Sequence, residues 1–299
     1  MDITDSLVSR YDEAVGLFPR PLRDEFIRLP VGEKALAEEF RLRAGKMAAV
    51  LLPGGEKAVR VPMTLADLGR ITEAATEASM HSTRESLKNG YITAPGGHRI
   101  GICGTAVVKD GEVTGFRTIS SLAVRISKEL IGIGRELTGS LFENGEFLST
   151  LIISPPGGGK TTLLRDIIRL VSDRGKRVSV ADERGEIAAL KGGIPQFNIG
   201  RHTDVLEFCP RAQAVIFLLR AMNPQIIAMD EITGPEDFEA LRSAVGCGVK
   251  LLATAHSAST GEMKKRQLYR EMLSCGIFER IVVIDNNAGK RSYRIEHCQ

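Results

Sequence analysis

Residues 154–162 read Ser-Pro-Pro-Gly-Gly-Gly-Lys-Thr-Thr. A run of glycines ending in Lys and Thr has the chemistry of an anion cradle. Glycine lets successive backbone N–H groups turn toward one point, and a helix starting there adds the positive end of its dipole. Pro156, Gly157, Gly158, Gly159 and Thr162 then wrap a nucleotide's phosphates, Lys160 reaches the β- and γ-phosphates, and the Thr161 hydroxyl ligates Mg²⁺. The flanks agree: Leu151-Ile152-Ile153 is a short apolar run, and Leu163 to Leu170 has helical spacing. The strict pattern opens on Gly where this chain has Ser154, a small residue expected to be tolerated. The competing reading, a glycine-rich turn before an ordinary helix, does not need this strand–loop–helix context.

Three further strand ends carry polar groups. Ile226-Ile227-Ala228-Met229 leads into Asp230-Glu231, which puts two carboxylates at the carboxyl edge of a sheet, where open α/β folds bind ligands. Asp230 is expected to hold Mg²⁺ through water, and Glu231 to orient or deprotonate an attacking water. Val178 to Ala181 ends in Asp182-Glu183-Arg184-Gly185-Glu186. There Glu183, with Asp182 or Glu186, is placed near the γ-phosphate beside Glu231, so either Glu183 or Glu231 can serve as the base. The alternative is a solvated strand-to-loop turn. Leu251 to Ala255 ends in His256-Ser257; a polar group there can sense the γ-phosphate through a hydrogen bond lost on hydrolysis, although a lone histidine can equally be structural. Arg165, Arg184, Arg201, Arg211 and Arg220 are candidates for a charge-stabilising finger, with no ranking among them. Asp182-x-x-Gly185 mimics a GTPase switch, but it lies on the wrong strand and no Asn-Lys-x-Asp motif occurs.

These strand ends need a sheet to hold them. Strands are expected at 149–153, 177–181, 226–229, 250–254 and 281–284 with helices between most of them, which predicts a largely parallel sheet covered on both faces. Ahead of it lies a mixed helix and strand region: a helix over 31–40, strands at 41–43 and 48–52, and a helix from Leu65 to about Ser79 capped by Thr64. A hairpin joins 99–108 to 112–117 across Asp110-Gly111. The expected organisation is an α+β domain over 1–128, a linker over 129–148 and a P-loop domain over 149–299. At 299 residues, two domains are reasonable. A net charge of +3, no tryptophan and 5% aromatics give little support to nucleic-acid binding. Five cysteines without CxxC spacing indicate neither a disulfide framework nor a zinc site. No apolar run approaches the ~18 residues of a membrane span, and the acidic start is unlike a signal peptide, so a cytoplasmic protein is expected.

The stretch from Phe217 to Ile232, followed by Ala240-Leu241 and Thr254-Ala255-His256-Ser257, resembles the core of the type II/type IV secretion ATPases. Within that superfamily the chain is most similar to a sporulation branch from endospore-forming bacteria. Gly90-Tyr91-Ile92-Thr93, Gly96 to Gly104, Ile119-Ser120-Ser121-Leu122 and Arg125-Ile126 carry this second likeness. The resemblance implies a RecA-like ATPase domain after a smaller N-terminal α+β domain, a hexameric ring, and ATP with Mg²⁺. It places Glu183 in an acidic box, Glu231 in the Walker B element and His256 in a histidine box. Asp230 departs from the superfamily, which commonly has Gly there, and leaves the division of labour between Glu183 and Glu231 open. The implied partners are membrane proteins of a secretion-like sporulation complex, with the ATPase on the mother-cell side. Two other functions compete: a nucleotide-gated scaffold with little turnover, and a nucleic-acid motor tracking phosphates with Arg41, Arg43, Arg99 and Arg117.

Overall fold

The strands that read as apolar runs are buried on both faces, and they build the sheet that carries the chemistry. The computed structural model describes residues 3–76, 90–109, 111–287 and 290–298. The chain forms two compact units, one of residues 1–130 with the excursion 189–197, the other of residues 131–188 and 198–299.

The first unit opens with three helices, α1 (Ile3–Gly16), α2 (Arg20–Ile27) and α3 (Val31–Leu36). The helix expected over 31–40 stops at Leu36, because Phe40 is taken into β1 (Glu39–Arg43) and fully buried there. Strands β2 (Met47–Leu52), β3 (Gly55–Pro62), β4 (Tyr91–Thr93), β5 (Arg99–Lys109) and β6 (Glu112–Arg125) complete an antiparallel sheet in the order β3-β2-β1-β6-β5-β4. Helix α4 (Leu65–Thr76) starts as expected: the Thr64 hydroxyl accepts from Asp67 N–H at 3.2 Å, and Asp67 Oδ2 accepts from Thr64 N–H at 3.1 Å. Residues 77–79 of the expected helix and Asp110 of the hairpin turn lie outside the described residues. Tyr11, Phe18, Phe26 and Phe40 form the aromatic centre of this core. Within the same unit, Gln196 of the excursion accepts from Gly96 N–H at 3.0 Å, and Arg10 lies over the Phe197 ring.

The second unit begins with α5 (Arg135–Gly139) and a small hairpin of β7 (Phe142–Glu143) and β8 (Glu146–Phe147). Its main sheet runs β11-β10-β12-β13-β9-β14-β15. These are β9 (Thr150–Ser154), β10 (Val178–Asp182), β11 (Thr203–Glu207), β12 (Ile226–Met229), β13 (Lys250–His256), β14 (Arg280–Asn287) and β15 (Lys290–His297). All pairings are parallel except β14 with β15. Every residue of β9, β10 and β12 is buried, as a sheet covered on both faces requires. Helix α6 (Lys160–Asp173) follows the glycine loop; Leu163, Leu164, Ile167, Ile168 and Val171 are fully buried along one face. Its buried Asp166 accepts from Gly132 and Gly134 N–H at 2.9 and 2.8 Å, and Arg169 closes on the same carboxylate at 2.6 Å. These bonds fix the helix, and so the loop in front of it. Helices α7 (Arg211–Ala221), α8 (Pro235–Gly246), α9 (Thr260–Met263) and α10 (Gln267–Ser274) complete the unit. Among the described residues no helix is long and apolar enough to cross a membrane.

Candidate functional site

Strands β9, β12 and β13 end beside one another, so their C-terminal residues meet at one edge of the sheet. The loop after β9 is built on two left-handed glycines, Gly157 at φ 73° and Gly159 at φ 95°. Gly158 is required for a different reason: a Cβ there would sit 2.2 Å from Ser154 Oγ and 3.1 Å from the Pro155 carbonyl oxygen. Ser154, the departure from the strict pattern, is buried and donates its hydroxyl to the Pro155 carbonyl at 2.9 Å. The loop ends at the N-terminus of α6, where Gly159 caps the helix without a side-chain bond. A cradle of glycine backbone closed by a helix N-terminus fits phosphate oxygens.

Lys160 is the first residue of α6, and its amine is buried at the base of the loop. It donates to the Ser154 carbonyl at 3.0 Å and lies 2.7 Å from His256 Nδ1. Burial pushes the Lys160 pKa down, opposed by the charges of Asp230 and Glu231. A lysine ammonium can only donate, so His256 Nδ1 accepts and Nε2 carries the ring proton. That Nε2 lies 3.0 Å from Glu231 Oε1, and Arg184 reaches Glu231 Oε2 at 3.4 Å. Lys160, His256, Glu231 and Arg184 thus form one continuous chain of contacts.

A second chain runs beside it. Asp230 accepts from the Thr161 hydroxyl at 2.6 Å through Oδ2 and from the Thr254 hydroxyl at 2.6 Å through Oδ1. Thr254 also accepts from Glu231 N–H at 2.9 Å, and its carbonyl accepts from Ile232 N–H at 2.8 Å. These two bonds hold Glu231 at φ 55°, a left-handed conformation costly for a residue with a Cβ. No role for Thr254 follows from the sequence motifs. Its signal was positional: it stands two residues before His256 on β13, hence on the same face of that strand.

The acidic segment after β10 divides into separate duties. Asp182 is buried and accepts from the N–H groups of Glu186, Ile187 and Ala188 at 2.9, 2.9 and 3.0 Å. Burial lifts its pKa to about 6 against the pull of those bonds, with Asp230 adding to the rise. Asp182 therefore closes a loop. Glu183 pairs with Arg211 at 2.6 Å, and Arg211 donates to Thr233 Oγ1 at 3.0 Å. The structure brings Lys160, Thr161, Asp230, Glu231 and His256 together by direct bonds, whereas Glu183 is held by Arg211. Arg165 donates to the Ile187 and Glu186 carbonyls at 2.8 and 2.7 Å. Arg165 and Arg211 are both buried and bound within their own chain, which removes them as fingers; Arg184, Arg201 and Arg220 are exposed.

Among the described residues no cluster of three or more His, Cys, Asp or Glu forms a metal site. The Thr161 hydroxyl and the Asp230 carboxylate are hard oxygen donors at the rim of the cradle. That sparse set suits Mg²⁺, which keeps several waters and is completed by phosphate oxygens.

Comparison with known proteins agrees with this architecture. Two solved structures share the fold: the pilus retraction motor PilT with bound ADP, at 16% identity and TM-score 0.60 over 90% of this chain and 81% of that one, and the Legionella pneumophila ATPase DotB, at 15% identity and TM-score 0.54 over 87% and 76%. A curated relative, "Stage III sporulation protein AA" of Bacillus subtilis (strain 168), is 34% identical over 283 residues, covering 93% of this chain and 92% of that protein. The family described as "Sporulation stage III, protein AA" matches residues 23–295, and the chain belongs to it.

Proposed function

We propose that this protein is an oligomeric, Mg²⁺-dependent ATPase of the secretion-ATPase type that powers, or drives assembly of, a membrane-associated complex during sporulation. One observation carries the reading: Lys160, His256 and Glu231 are joined in sequence beside the Thr161–Asp230 pair, all at one glycine cradle. The backbone N–H groups of the cradle receive the phosphates, and Lys160 exchanges the Ser154 carbonyl for phosphate oxygen. Thr161 and Asp230 would hold Mg²⁺, which when bound would neutralise phosphate charge.

Glu231 acts as the base. A water attacks the γ-phosphorus, its proton passes to Glu231, and the bond from phosphorus to the β,γ-bridging oxygen breaks, leaving ADP and phosphate. Glu183 acts through Arg211 as a positioning residue. His256, bonded to both Lys160 and Glu231, changes partners when Lys160 turns to phosphate, and so reports whether the γ-phosphate is present. The ring and its membrane partners come from the family likeness. Against a nucleic-acid motor, Arg41 is paired with Glu39 and Arg43 forks onto Glu56 at 2.8 and 2.9 Å, which neutralises two of the phosphate-tracking candidates.

The test is steady-state ATP hydrolysis with Mg²⁺ by wild type, Lys160→Ala and Glu231→Gln, with light scattering for mass. Wild type is expected to turn over as a particle of several chains. Lys160→Ala loses binding and turnover together; Glu231→Gln keeps ATP and loses about 100-fold or more in rate. A wild type that binds ATP without turnover sinks the hydrolase reading and leaves a nucleotide-gated scaffold.

A further inference from the structure

β15 forms the outer edge of the main sheet beside β14, and Arg291 stands near its start, in register with Asn286. Its side chain reaches over the glycine loop. A Cβ built on Gly159 would lie 3.0 Å from Arg291 Cζ, 3.1 Å from Nη1 and 3.3 Å from Nε. The guanidinium therefore rests against the backbone of the residue just before Lys160. Arg291 is exposed, and its guanidinium makes no hydrogen bond or ion pair with another described residue. Its charge is felt by Tyr293, two residues along the same strand. An arginine at rest on a neutral glycine, with its fork of donors unspent beside an anion cradle, is placed to take phosphate oxygens.

Strand order states which phosphates. In the sequence β12-β13-β9-β14-β15, the strands bearing Asp230, Glu231 and His256 flank β9 on one side, and the hairpin bearing Arg291 flanks it on the other. A nucleotide whose terminal phosphate faces the carboxylates runs its α-phosphate and nucleoside toward the hairpin. We infer that Arg291 is a second cationic phosphate ligand, supplied in cis by the C-terminal hairpin, which grips the α- and β-phosphates of a nucleoside di- or triphosphate. The inference rests on the nucleotide-binding reading above. It also gives the β14–β15 hairpin a duty: Lys160 serves the terminal phosphates from inside the loop, while Arg291 closes over the loop from outside. Such a contact holds ADP as well as ATP, so it slows product release instead of discriminating between them.

The experiment is calorimetric titration of the full chain with MgADP and with the non-hydrolysable analogue MgAMP-PNP. Wild type, Arg291→Ala, Arg291→Lys and Lys160→Ala are compared, and unfolding temperatures without nucleotide report folding. Because Arg291 is exposed, Arg291→Ala is expected to melt like wild type. It should bind both nucleotides about 10-fold or more weakly, as loss of charge-assisted hydrogen bonds predicts. The ratio of the two affinities should stay at the wild-type value, and Arg291→Lys should recover part of the loss. Arg291→Ala binding both nucleotides like wild type overturns the inference while wild-type binding keeps the nucleotide reading intact. Loss confined to MgAMP-PNP also overturns it, since that puts the guanidinium at the γ-phosphate. Wild type binding neither nucleotide sinks the nucleotide reading first, and the role of Arg291 with it.

Discussion

Ser154 and Gly158 are a matched pair. With Ser154 folded back onto the Pro155 carbonyl, its Oγ and Cβ fill the space that a side chain at 158 would need, at 2.2 and 2.8 Å from the built Cβ. Gly158→Ala therefore forces the cradle open, and ADP affinity should fall about 10-fold or more as its N–H groups lose convergence. Ser154→Gly alone should bind ADP like wild type, and the double variant Ser154→Gly/Gly158→Ala should regain part of the lost affinity. The Pro155 carbonyl, at 3.1 Å, still crowds the new methyl there. A double variant no better than Gly158→Ala in an ADP titration would show that the steric pairing is wrong. Lys160, Thr161, Asp230, Glu231 and His256 were legible in the sequence because each stands at the end of an apolar strand or at a glycine loop, where position implies chemistry. The pairing of Glu183 was not legible. It depends on Arg211, a buried residue on a helix 28 positions away, and such pairings are fixed only by tertiary packing.

The loop after β10 shows how one buried carboxylate organises an element. Asp182 turns three successive N–H groups inward, and Arg165 from the P-loop helix ties the carbonyls of Glu186 and Ile187. Folding lifts the Asp182 pKa from 3.8 to about 6 through burial. The folded chain thus holds this proton more tightly than the unfolded chain. The associated stability is complete below the unfolded pKa and is lost as pH rises through about 6. Between pH 7 and pH 5 wild type should gain about 1 kcal/mol from this group. Asp182→Asn cannot gain it, and it also loses acceptor capacity, a cost of about 1–3 kcal/mol at every pH. Urea unfolding of both proteins at the two pH values checks this, and equal differences at pH 5 and pH 7 would refute it. Legibility at this scale follows burial. β9, β10 and β12 carry apolar runs because they lie inside the sheet, whereas β11 and β15 were missed because they are its edges. Thr203–Glu207 and residues 291–297 are only half-buried or exposed, and the charged residues there guard against stray pairing and erase the apolar signature. Arg291 was missed with its strand.

For the assembled protein, the question is which chain completes each site. The groups that meet at the cradle, Lys160, Thr161, Asp230, Glu231, Thr254 and His256, all belong to one unit of one chain, and the bonds joining them are intramolecular. If such chains assemble into the proposed ring, each site keeps its proposed phosphate cradle and base on one chain. Neighbouring chains can contribute an arginine, and exposed Arg184, Arg201 or Arg220 is free of the burial that removes Arg165 and Arg211. On the proposed mechanism they cannot lend a base to a cradle that lacks one. Lys160→Ala and Glu231→Gln subunits mixed, dissociated and reassembled should then hydrolyse ATP no faster than the more active of the two alone. If Glu231 instead served the neighbour's nucleotide, a Glu231→Gln cradle next to a Lys160→Ala subunit would regain its base. With random mixing in equal amounts, about a quarter of the junctions would then be competent, far above the background expected when a base is lost. Recovery of that size would move the catalytic carboxylate to the subunit interface. Its absence, in a particle shown by mass to contain both variants, fits a hydrolysis site assembled within each chain, so that an assembly of such chains would coordinate when each site fires without completing it.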